Sequence, residues 1–164
     1  MKIIMSKEPV LSNTNIKSIF LAGPTRKNSD YSKSWRKEAV DILENLKFDG
    51  IVYIPDYRDG TEIDESEKGF YDLHIWEWNA LKTVDKIVFW IPRKINDGMP
   101  AFTTNVEFGR YVEMRPEHCI LGYPDDAEGM IYLKHLYETC NPDKPIFHTL
   151  KDTLEYTINS LENK

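Results

Sequence analysis

The chain has 164 residues, enough for one domain with a core of ordinary size, and its 41% hydrophobic and 29% charged residues exclude a disordered tail. Lys and Arg number 21 against 27 Asp and Glu, a net charge of −6, which argues against a polynucleotide partner because phosphate neutralisation needs a basic face. The longest apolar run, Ile87-Val88-Phe89-Trp90-Ile91, is too short to cross a bilayer, and two cysteines without CxxC spacing make neither a disulfide framework nor a metal site, so the reducing cytoplasm is the expected compartment.

Residues 1–16 carry Pro9 and a Ser/Asn/Thr cluster and read as an extended, loosely held N-terminal arm before one domain over 17–164. Lys17 to Ala22 is a buried strand closed by Gly23-Pro24. A helix follows, with Ser32 and Ser34 as candidate caps and Trp35, Ala39, Ile42, Leu43 and Leu46 at helical spacing. Ile51-Val52-Tyr53-Ile54 is a second strand, residues 57–68 an acidic loop, and residues 70–84 a second helix with Leu73, Trp76, Ala80 and Leu81 on one face. Residues 86–91 make an apolar third strand of the kind covered on both faces by helices. Thr103-Thr104-Asn105 reads as a row of caps before a helix over 106–114. Residues 119–123 form a fourth strand, 128–139 a helix, 144–149 a last strand and 153–161 a last helix. The alternation is that of a doubly wound parallel α/β sheet.

Ligands of such sheets bind outside the strand carboxyl ends. That rule selects Gly23-Pro24-Thr25-Arg26, Pro55-Asp56-Tyr57-Arg58, residues 92–105 and Tyr123-Pro124-Asp125-Asp126. The first loop has neither GxxxxGK[ST] nor GxGxxG, though its Gly-Pro pair lets backbone approach a ligand beside Arg26, Lys27 and Arg36. Glu107 is placed in a first helical turn, where the helix N-terminus favours the ionised carboxylate. Thr104 and Glu107 also satisfy the capping-box pattern, so capping and chemistry both account for them. Glu77 borders a buried stripe, where burial and a second carboxylate would raise its pKa. Two carboxyls with split roles are what cleavage of a glycosidic bond uses. Trp78 and Phe102 are candidates to stack on a base. His74 and Glu77 lie three apart on a helix, but with no second such pair no metal site is expected.

Four segments in order, Ile19-Phe20-Leu21-Ala22-Gly23-Pro24-Thr25, Trp76-Glu77, Asp85-Lys86-Ile87-Val88-Phe89-Trp90-Ile91-Pro92 and Thr103-Thr104-Asn105-Val106-Glu107-Phe108-Gly109, resemble the nucleoside 2-deoxyribosyltransferase-like family over residues 18 to about 115. The resemblance implies a flavodoxin-like, Rossmann-like sheet of four to five strands flanked by helices. It implies cleavage of the N-glycosidic bond of a 2′-deoxyribonucleoside, with Glu107 as nucleophile, Glu77 handling the base proton, and transfer of the sugar to another nucleobase. Gly23 would lie against the substrate, and Pro24, Arg26, Asp56, Trp78, Phe102, Thr103 and Thr104 complete the expected binding set. No metal or cofactor is expected; the expected partners are a nucleoside or nucleotide, a nucleobase and further copies of the chain.

The alternatives are a 2′-deoxynucleoside 5′-monophosphate N-glycohydrolase, with Arg26, Arg36, Arg58 and Arg93 as phosphate ligands, and a nucleotide-binding protein without turnover. The best-known transferases of the family carry Tyr where this chain has Phe20, Asp where it has Glu77, and in some cases an Asp in the stretch Ala101-Phe102-Thr103, so the resemblance is to a divergent branch.

Overall fold

A computed structural model of the chain describes residues 1–11, 15–25, 34–58 and 64–162. Strands β1 (Lys2–Met5), β2 (Ser18–Ala22), β3 (Ile51–Ile54), β4 (Lys86–Trp90) and β5 (Cys119–Gly122) form one sheet in the order β1-β3-β2-β4-β5. Every pairing is parallel. Helices α1 (Trp35–Asn45), α2 (Glu67–Thr83), α3 (Phe102–Met114), α4 (Ile131–Cys140) and α5 (Leu150–Glu162) cover it.

Both sheet faces are apolar because strand side chains alternate sides. Ile19, Leu21, Val52, Ile54, Val88 and Trp90 pack with Ala39 and Leu43 of α1 and Leu154 and Leu161 of α5. Phe20, Ala22, Tyr53, Ile87 and Phe89 face Ala80 and Leu81 of α2, Phe108 and Val112 of α3, and Leu133 and Tyr137 of α4. The chain thus forms the three-layer, flavodoxin-like α/β sandwich that the strand–helix alternation predicts.

The structure corrects three expectations. The segment read as a loosely held arm supplies β1, whose four residues pair with β3 and bury Ile4 and Met5. Further along that arm, the Trp76 indole donates to the Glu8 carbonyl at 2.7 Å and the Leu11 N–H donates to the Tyr53 hydroxyl at 3.1 Å. The expected last strand is a single bridge between Gly122 and Phe147. Helix α3 starts at Phe102 rather than at 106, behind Ala101, which is left-handed at φ 60° and provides no side-chain cap.

Candidate functional site

From β2 the chain crosses to β3 on one side and then to β4 on the other, so the switch point of the sheet lies at the carboxyl ends of β2 and β4. Gly23 sits there, and its lack of a side chain has a steric cause. A Cβ would lie 2.1 Å from the Trp90 carbonyl oxygen and 2.8 Å from the Trp35 ring. The glycine therefore lets the β2 loop press against β4, and the close neighbour is protein backbone. Pro24 is buried, and its carbonyl accepts from the Trp35 indole at 2.9 Å.

Arg36 organises this end of the sheet. It takes a stripe position on α1 with Ala39, Val40 and Leu43 and is 1% exposed. Its Nε donates to the Leu21 carbonyl at 3.1 Å and its Nη2 to the Gly23 carbonyl at 2.6 Å. Its Nη1 donates to the Thr25 hydroxyl at 2.7 Å and to Asp56 Oδ1 at 3.1 Å. A guanidinium is the one side chain able to join so many fixed acceptors. The residue ties the carboxyl end of β2 to the loop after β3 and leaves a positive charge close to both candidate carboxylates. The other Asp56 oxygen, Oδ2, is buried without a partner among the described residues.

Glu77 comes from α2 and Glu107 from α3, both half-buried. Desolvation is the leading cause that raises each above the ordinary carboxylate range, Glu77 to about 8 and Glu107 to about 7. The negative charges of Glu107 and Asp56 raise Glu77 further, while Arg36 pulls both carboxyls down. The two carboxyls are raised together and titrate as one coupled pair. The Tyr57 hydroxyl is raised by burial and by Glu77, and that of Tyr111 by burial and, among its neighbours, Glu107, so a tyrosine stands near each carboxyl.

The early start of α3 decides between the two readings of Thr104 and Glu107. Thr104 lies inside the helix, 2% exposed, and Glu107 lies in the second turn, so no capping box forms and the first-turn dipole does not hold the carboxylate ionised. Glu107 is thereby left without a structural role as a cap.

The remaining expected residues divide. Asp56 reaches the site through Arg36, and Thr103 follows Phe102 at the exposed start of α3. Phe102 is 72% exposed, and Trp78 is 36% exposed between the His74 ring and the Arg110 guanidinium. Arg26 lies outside the described residues, as do Lys27 and Ser32. The other three candidate phosphate ligands are engaged with protein. Arg36 is bonded as above, Arg58 donates to Glu8 from Nε at 2.6 Å, and Arg93 donates to Gly129 and Asn105. Asn105 and Glu107 are two residues apart, about 200° around the helix, so Arg93 serves the opposite flank of α3 from Glu107. Among the described residues, no group of three or more His, Cys, Asp or Glu is arranged to hold a metal ion, and no helix is long and apolar enough to cross a membrane.

Sequence reasoning missed the part played by Arg36. The signal was present in the spacing 36, 39, 40 and 43, which puts a charged residue on the buried stripe of a helix that enters the switch point.

Because Glu77 titrates higher in the folded chain than its ordinary 4.5, the folded state binds the extra proton between those values, and stability falls as pH rises through that window. Glu77→Gln removes this liability. Urea titrations should show the variant equal to the parent near pH 4.5 and more stable by about 1–3 kcal/mol at pH 9. Equal stability at both pH values would show that Glu77 ionises freely.

The doubly wound parallel sheet defines an α/β protein of the class whose ligand crevice lies at the switch point, and two carboxyls raised by burial come together beside it. The family model described as nucleoside 2-deoxyribosyltransferase like matches residues 16–126, more than half of the chain, and the chain belongs to that family. The match spans β2 to the loop after β5 and includes Arg36, Asp56, Glu77 and Glu107. No curated protein matches the chain. Membership supports a glycosyl-transfer or glycosyl-hydrolysis activity on small nucleoside-type substrates.

Proposed function

We propose that the protein cleaves the N-glycosidic bond of a 2′-deoxyribonucleoside and transfers the sugar to another nucleobase. The observation that supports this most is the pairing of Glu77 and Glu107 under the influence of one buried arginine. Glu107 attacks the anomeric carbon as the carboxylate. The carbon–nitrogen bond breaks, an ester to Glu107 forms, and Glu77 gives its proton to the departing base. An incoming base then attacks the same carbon, releases Glu107 and returns a proton to Glu77. Asp56 Oδ2 accepts from a sugar hydroxyl.

A nucleoside fits better than a 5′-monophosphate, because Arg36 and Arg58 are engaged by protein groups and Arg93 serves the opposite flank of α3 from Glu107. The test is to supply a deoxynucleoside with and without a free acceptor base and to follow both bases by chromatography. Exchange without net sugar release is the expected result; release of sugar from a 5′-monophosphate without exchange would replace transfer by hydrolysis. The rate should follow a bell in pH, its acid limb set by ionisation of Glu107 and its alkaline limb by deprotonation of Glu77. The two apparent values belong to the pair. A flat profile from pH 5 to pH 9 would remove both roles.

A further inference from the structure

A second concave site lies on the far flank of α3, in a cavity of about 380 Å³ between α3 and α4. Its walls include Asn105, Phe108 and Gly109 of α3 and Tyr132 and Leu133 of α4, with Arg93 at the polar end. Gly109 opens it, since a Cβ there would meet nothing within 4 Å. The α4 wall falls outside residues 16–126, whereas Arg93 and the α3 wall lie within them.

Arg93 is 5% exposed and desolvation lowers its pKa, yet no carboxylate among the described residues faces it. Its Nη1 donates to the Gly129 carbonyl at 3.0 Å and its Nη2 to the Asn105 side-chain oxygen, both neutral acceptors. Its Nε is buried with no partner among the described residues, so two of the five guanidinium N–H groups are used. Two acids close in sequence to its Gly129 partner are occupied elsewhere. Glu128 accepts from the Ile95 N–H at 3.1 Å, and Asp126 from Lys94 Nζ at 2.7 Å. A desolvated cation without a counter-charge is costly, and a bidentate anion relieves that cost.

We infer that the groove between α3 and α4 is a binding site for a small organic monoanion, a carboxylate carried on an apolar body, held by Arg93 and packed against Phe108, Tyr132 and Leu133. One uncompensated positive charge matches one negative charge. The apolar walls select a ring or short chain, and the volume is that of a small-molecule site.

Calorimetry and amide NMR on the full chain test this with phenylacetate, its neutral counterpart phenylacetamide, and inorganic phosphate. Phenylacetate should bind saturably and shift the Asn105, Gly109 and Gly129 amides, while phenylacetamide and phosphate should each bind at least about tenfold more weakly. Arg93→Gln should lose the preference for the anion. Because Arg93 also holds Asn105 and Gly129, Gly109→Leu is the safer variant: it fills open space in a helix, keeps the fold and should abolish binding. Absence of saturable binding by phenylacetate, equal affinity for the amide, or retained affinity in Gly109→Leu would each overturn the proposal.

Discussion

Glu107→Gln should lower the rate of base release by about a thousandfold or more while leaving far-ultraviolet dichroism and, near pH 4.5, melting temperature close to those of the parent. Glutamine keeps the shape and the half-buried position on α3, and the residue makes no cap that its loss would undo. What disappears is the carboxylate that the proposed mechanism uses to attack the sugar. Glu77→Gln should cost less, about a hundredfold, because a proton donor contributes in proportion to how poorly the base leaves unaided. A deoxyribosyl donor whose leaving group needs no proton should restore most of the Glu77→Gln rate and none of the Glu107→Gln rate. Equal loss with both donors would mean that the two roles are not divided in this way.

Arg36→Met should destabilise the chain by about 3–5 kcal/mol, a value typical of breaking a buried pair and leaving its partner charged. Three protein oxygens besides Asp56 lose a donor at once: the Leu21 and Gly23 carbonyls and the Thr25 hydroxyl. Asp56 is then left with neither oxygen satisfied by the guanidinium. Arg36→Lys should recover little of this, since one ammonium cannot span acceptors fixed in a planar fan. In an Arg36→Met protein that folds, the charge pulling Glu107 down is gone, so the acid limb of the pH profile moves to higher pH. A stable Arg36→Met protein with an unmoved acid limb would show that the arginine neither braces the switch point nor reaches the carboxyls. Denaturant titration and the pH–rate curve measure the two effects separately.

Much of this architecture was written in the local pattern. The runs at 18–22, 51–54 and 86–90 are buried throughout, as continuous apolar strands between two helix layers must be, and turn residues close the first two. The strand at 2–5 was hidden because an edge strand needs burial on fewer neighbours: Lys2 is exposed and Ile3 half-buried, so no long apolar run advertises it. The start of α3 was misplaced because Thr103-Thr104-Asn105 is a strong capping signal, whereas the observed start rests on Ala101 in a left-handed conformation that its residue type does not favour. The carboxyl pair was legible in part. Glu77 beside a buried stripe and Glu107 at a strand end both pointed to the crevice, but the buried arginine that lowers both carboxyls is held by Asp56 and by the Leu21 and Gly23 carbonyls. Contacts of that kind exist only after the sheet has closed.

The most direct measurement is covalent trapping. A 2′-fluoro-2′-deoxynucleoside slows breakdown of the sugar ester more than a natural substrate does, because fluorine disfavours the cationic transition state. Intact mass should then show one added fluorodeoxyribosyl group per chain, peptide mapping should place it on Glu107, and Glu107→Gln should show none. Turnover of a natural deoxynucleoside with no adduct at Glu107, or an adduct carried by another residue, would contradict the proposed mechanism.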